Sequence, residues 1–207
     1  MMLVHGGAWI LTGQDLVTAY RPEARIWQRR GWLVYTIDYR PGPWSYHDVQ
    51  TQFDRLRHHF PRTPICVSGV SSGGQLALLL AAHRHVACTI AQSAPTDLST
   101  LRGWVHDAAA RYLFPFGSER RWSPLTYASR IRGPVLLATP RSDPAIAAQQ
   151  SRLLAPRLRD ARLVTLANQR SGRPFTHATV GPSALAHYRR VERNFALRAV
   201  ASKSRRS

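Results

Sequence analysis

The sequence predicts an α/β domain, a mostly parallel, doubly wound sheet with helices on both faces. Short apolar runs alternate with longer segments whose apolar residues recur every three or four positions, the signature of strands and amphipathic helices in βα units. Within the runs the apolar residues are continuous rather than alternating, as at 32–37, which suits strands covered on both faces. The clearest join is at Gly69-Val70-Ser71-Ser72-Gly73, where the run 65–70 passes straight into the apolar helical pattern that follows.

Leu3-Val4-His5-Gly6-Gly7-Ala8-Trp9 reads as a strand that closes on His5 and a bare glycine pair whose backbone is free to donate N–H groups. Helical spacing over 20–30 puts Arg21, Arg25 and Arg29 on one wet face. After the strand at 32–37 comes Asp38-Tyr39-Arg40-Pro41, read as a turn held by Asp38 and Arg40. Ser45 is expected to cap a helix carrying Val49, Phe53, Leu56 and Phe60, which Pro61 and Pro64 stop. The strand and helix around Ser71 run to about Arg84, and 86–91 is the next buried strand. Regular alternation then lapses, and an insert over about 97–123 contains Trp104, Tyr112, Phe114, Phe116 and Trp122. A strand at 134–138, a helix at 145–159, a strand at 162–167 and a last helix at 182–199 complete the domain, expected over 1–200. The tail 201–207 reads as disordered and basic.

A net charge of +18, with 29 basic against 11 acidic residues, raises nucleic acid as a partner. The distribution argues against it. Lys203 is the only lysine, and the arginines scatter along the chain without a glycine-arginine repeat or a basic-aromatic signature. No apolar run reaches the roughly 18 residues that a membrane span needs. The histidines at 47, 58, 59, 83, 85, 106 and 187 show no metal-ligand spacing, so neither metal nor cofactor is expected. Cys66 and Cys88 each lie in a strand-like run, where a free thiol packs as a small hydrophobe. That is the favoured reading, and a bridge between neighbouring strands is the alternative. No secretory leader is evident, which makes the cytoplasm the default expectation.

Gly69-Val70-Ser71-Ser72-Gly73 between strand and helix resembles the nucleophile elbow of the α/β-hydrolases, and His5-Gly6-Gly7 before Trp9 resembles the oxyanion motif of their carboxylesterase and lipase branch. The resemblance runs from residue 2 to about 198. It implies the α/β-hydrolase fold and hydrolysis of a small-molecule ester. Ser71 would be the nucleophile, Asp143 the acid after the strand at 134–138 and His177 the base, in the family's chain order. Gly6, Gly7, Ala8 and Ser72 would supply the amides for the oxyanion. Asp97, after the strand at 86–91, is the rival acid, although Thr96-Asp97-Leu98 also reads as a helix-start cap. Trp9, Trp104 and Phe114 are the candidate pocket residues, with plain packing as the other reading of Trp9 and of the aromatic insert, a short helical cap in family terms.

One departure from the family is that its enzymes ordinarily carry strands before the His-Gly-Gly strand, on which this sequence starts, so the usual first strands are expected to be lacking. The strand at 32–37 then becomes an apolar edge open to pairing with a second copy. Two other functions stay open. One is a catalytically silent hydrolase-like protein that binds a ligand or a partner, and the other is a prolyl-peptidase-like serine peptidase.

Overall fold

Six parallel strands form a single sheet in the order β2-β1-β3-β4-β5-β6 in a computed structural model that describes residues 1–113, 118–167 and 182–204, the last three by main chain alone. The strands are β1 (Met2–Val4), β2 (Tyr35–Ile37), β3 (Cys66–Val70), β4 (Cys88–Gln92), β5 (Val135–Pro140) and β6 (Ala161–Leu166). Between them lie α1 (Gln14–Ala19), α2 (Arg21–Gln28), α3 (Trp44–His59), α4 (Ser72–His83), α5 (Gly103–Ala108), α6 (Glu119–Trp122) and α7 (Gln149–Leu154), and α8 (Pro182–Ser204) follows β6. The expected parallel α/β architecture is therefore present, with β2 and β6 at the edges.

Period-two side-chain alternation divides the core between the two faces of the sheet. Met2, Val4, Val67, Val135 and Leu137 join a cluster with Val49 and Phe53 of α3 and Leu76, Leu79 and Leu80 of α4. Leu3, Cys66, Cys88, Ile90 and Leu136 face the other way, against Trp27 of α2 and Tyr188, Val191, Phe195 and Ala199 of α8. Nearly every residue of α4 is buried, so this helix is apolar all round, and Gln75 stands out as a polar side chain inside it.

Several local expectations are corrected. Cys66 and Cys88 are register partners on β3 and β4 and are joined as a disulfide, because adjacent parallel strands place their Cα atoms 4.5 Å apart. Ser45 lies inside α3 rather than at its cap, which is Pro43, and its buried hydroxyl has no hydrogen-bond partner among the described residues. Arg40 does not close a turn with Asp38. It forms a two-pronged pair with Asp48, at 2.7 and 2.9 Å. The last helix continues to Ser204, into the segment expected to be disordered, since Ala201 and its neighbours favour propagation of a helix already begun. Helix α1 was not expected because it buries no residue and so leaves no apolar period to read. Within the insert, Leu98, Leu101, Val105, Ala109, Leu113 and Trp122 all join the core, so it packs onto the body of the domain.

An ion cluster ties α2 to α8. Arg189 bonds to Glu192 at 3.2 Å and pairs with Glu23, which also accepts from the Trp27 indole at 2.8 Å. Burial of Glu192, with Glu23 close by, raises its carboxyl to about 7 despite the opposing effects of Arg189 and Tyr188. No described helix is long and apolar enough to cross a membrane.

Candidate active site

Ser71 stands between the end of β3 and the first residue of α4, with φ 55° and ψ −127°, a conformation that costs a non-glycine residue on the order of 1–3 kcal/mol. The flanking glycines explain how the turn is accommodated. A Cβ on Gly69 would run into the carbonyl of Gly73, and a Cβ on Gly73 into the carbonyls of Val4 and His5. The amide of Ser71 is held at 2.9 Å by the carbonyl of Gln92, so the turn is anchored on β4 as well. Ser72 opens α4, and as a first-turn residue its amide has no helical acceptor behind it.

The loop after β1 comes up against this turn. A Cβ on Gly6 would lie 3.0 Å from the carbonyl of Val70 and 3.2 Å from Cβ of Ser71, so a side chain there would force its neighbours to give by a few tenths of an ångström. Gly7, Ala8 and Trp9 follow with φ of 133°, 51° and 62°, and the bend closes as the amides of Ile10 and Leu11 donate to the Gly7 carbonyl at 3.0 and 2.9 Å. Of the amides expected to face an oxyanion, that of Gly6 is already occupied, donating to the Tyr20 hydroxyl at 3.3 Å. Those of Gly7 and Ala8 make no hydrogen bond among the described residues.

A polar set lies behind the loop. His5 is fully buried, stacked on Tyr39 at 4.3 Å, with Nε2 3.0 Å from Asp38 Oδ1 and Nδ1 2.6 Å from the Gly6 carbonyl. The Tyr39 hydroxyl donates to the His5 carbonyl at 2.9 Å. Burial alone would raise the Asp38 carboxyl, but hydrogen bonds from Gly13, His5 and Tyr39 outweigh it and hold the group below its ordinary value. Burial pushes the Tyr20 phenol up to about 12 and the Tyr39 phenol higher still, so both keep their protons at neutral pH.

Trp9 is wholly buried in the core, and its indole donates to Gln75 Oε1 at 3.0 Å. Gln75 Nε2 in turn donates to the Trp122 carbonyl at 2.7 Å, joining the loop to the insert. Trp104 is 59% exposed on α5. Asp143 lies beyond the carboxyl end of β5, nearly buried, with Oδ1 accepting the amides of Ala145 and Ile146 at 2.9 and 3.0 Å. Asp97 caps the turn at Leu98–Thr100, its Oδ1 3.2 Å from the Ser99 amide and 2.6 Å from the Ser99 hydroxyl. His177 and Phe114 lie outside the described residues. Sequence reasoning did not find Tyr20, Gln75 or the His5–Asp38 contact. A lone glutamine in an apolar helix is a signal in hindsight, whereas a contact spanning 33 positions left none.

Comparison with known proteins places this arrangement in context. Carboxyl esterase 2 of the mycorrhizal fungus Tuber melanosporum superposes with a TM-score of 0.75 at 19% identity, over 96% of this chain and 78% of its own. Thermogutta terrifontis esterase 2, in a form phosphonylated by sarin, gives 0.76 at 18% identity, over 95% and 82%. The monoacylglycerol lipase of Paleococcus ferrophilus gives 0.68 at 16% identity, over 96% and 93%. At these identities the likeness is one of fold, the α/β-hydrolase fold. No curated protein sequence matches. The model of the BD-FAE family, however, matches residues 1–158, most of the chain. The chain belongs to the BD-FAE family, an esterase family of the α/β-hydrolase type.

Proposed function

We propose that the protein is a serine carboxylesterase in which Ser71 attacks the carbonyl carbon of a small or medium ester. The observation that carries this reading is the strained backbone of Ser71 at the mouth of β3, beside a loop whose Gly7 and Ala8 amides lack described partners. In this mechanism His177 takes the hydroxyl proton as the Ser71 Oγ–carbon bond forms, and Asp143 orients the imidazole and stabilises its charged form. The carbonyl electron pair moves onto oxygen, where the amides of Gly7, Ala8 and Ser72 hold the oxyanion. Collapse of the intermediate expels the alcohol, which takes the proton from His177, and water then releases the acid from the acyl-enzyme by the same steps.

Family membership supports ester hydrolysis, and the aromatic residues of the insert support an apolar acyl group. The test compares hydrolysis of acetyl, butyryl and long-chain nitrophenyl esters with that of a peptide anilide. The reading expects the short and medium esters to be cleaved fastest. Faster cleavage of the anilide would favour a peptidase, and no cleavage of any of them a protein that only binds.

A further inference from the structure

Resting on that reading, we propose that Asp38 is a positioning residue that acts through His5 to fix the direction of the Gly7 amide. The Gly6–Gly7 peptide is planar and trans, so its carbonyl and its N–H point in opposite directions. Whatever holds the Gly6 carbonyl therefore aims the Gly7 amide. That carbonyl lies 2.6 Å from His5 Nδ1 and 3.4 Å from the Tyr39 hydroxyl. A peptide between two glycines meets little steric resistance to flipping, so polar contacts have to hold it.

His5 can hold the carbonyl only if the ring itself is fixed. One face stacks on Tyr39 and the far nitrogen meets Asp38. The two ring nitrogens thus meet Asp38 Oδ1 at one end and the Gly6 carbonyl at the other, which ties the carbonyl to Asp38 through the ring. Asp38 is itself tied at both ends of the loop. Besides His5 before the bend, it accepts the Gly13 amide after it at 3.0 and 3.1 Å, and the Tyr39 amide at 2.9 Å. Tyr20 fixes the preceding peptide by accepting the Gly6 N–H. The Gly6 N–H and the Gly6 carbonyl thus have partners, and the Gly7 N–H, which has none among the described residues, remains for the oxyanion.

The experiment uses the full chain with Asp38→Ala and Asp38→Asn, measuring kcat, KM, melting temperature and the inhibition constant of an aryl trifluoromethyl ketone. Such a ketone forms a tetrahedral adduct with the serine hydroxyl and so senses the oxyanion site. Loss of one oxyanion donor costs about 10²–10³ in kcat, and a displaced donor should cost part of that. Asp38→Ala should lose roughly 10- to 100-fold in kcat with KM within about threefold, and ketone affinity should fall by a similar factor. Asp38→Asn, which keeps acceptors for His5 and Tyr39, should recover most of both.

Arg40→Leu, which removes the pair with Asp48 and the contact over the Trp44 ring but leaves the bonds of Asp38 in place, is the matched control and should keep native kcat. If Asp38→Ala does not fold, Asp38→Glu, which displaces the carboxylate by one methylene, takes its place with at least a fivefold loss expected. Unchanged kcat in the folded variant, or a loss in kcat without a loss in ketone affinity, overturns the positioning role while leaving Ser71 untouched. A native chain that neither hydrolyses the esters nor reacts at Ser71 overturns the functional reading, and the positioning role with it.

Discussion

The indole nitrogen of Trp9 donates to the side-chain oxygen of Gln75 at 3.0 Å, binding the loop after β1 to the first turns of α4. Because Gln75 also reaches the Trp122 carbonyl, one buried side chain joins the two segments that flank Ser71 to the insert. Gln75→Leu would strand a buried N–H and a buried carbonyl. Each stranded group costs about 1–3 kcal/mol, so urea unfolding should show a loss of roughly 2–6 kcal/mol. A loss below about 1 kcal/mol would mean that the pair is not a structural tie.

The choice between the two aspartates is open to a direct comparison. Asp143→Asn should fold normally and lose on the order of 10³–10⁴ in kcat, because the histidine would sit in the wrong tautomer. Asp97→Asn should lose up to about 1 kcal/mol of stability with its cap and keep most of its activity. Melting curves and turnover measured side by side decide it, and the reverse pattern would place the acid after β4.

Stability should carry a pH dependence that originates at Glu192. Its folded-state carboxyl is raised from 4.5 to about 7, chiefly by burial, so the folded protein binds this proton more tightly than the unfolded chain does. The stabilisation is full below about 4.5 and is lost as the pH rises through about 7, a change on the order of 2–3 kcal/mol. Glu192→Gln should remove this component, which denaturant midpoints at pH 5 and pH 8 would reveal. A variant with the same pH profile as the native chain would locate the dependence elsewhere.

Reduction of the Cys66–Cys88 disulfide frees a loop with a sequence separation of 22, for which chain entropy predicts a loss of about 3 kcal/mol. Melting of the native chain with and without dithiothreitol, alongside a Cys66→Ser/Cys88→Ser variant, should show matching decreases. Thiol alkylation before reduction, analysed by mass, should find neither cysteine labelled.

What was legible in the sequence was what local sterics or period could express. Gly69 and Gly73 bracket Ser71 because the backbone passes too close for a Cβ, and that requirement is written within five residues. The strand and helix alternation survived for the same reason, since each element buries a face of its own. The disulfide was legible only as an alternative, because it depends on the register of β3 against β4, and register is a property of pairing rather than of either strand. The local sequence reads Asp38 as part of a structural turn, but its partners His5 and Gly13 lie 33 and 25 positions away and Arg40 belongs to Asp48. Gly6 reads as one of the oxyanion amides because nothing local shows that Tyr20 takes its N–H.

The proposed chemistry rests on Ser71. Its most direct test is mass-spectrometric location of the adduct formed when the purified chain reacts with a fluorophosphonate. Modification of Ser71, its absence in Ser71→Ala together with a roughly 10³-fold or greater loss of ester turnover, and near-native labelling and turnover in Ser72→Ala are the results predicted. An adduct on another residue, or undiminished labelling of Ser71→Ala, would contradict the central claim.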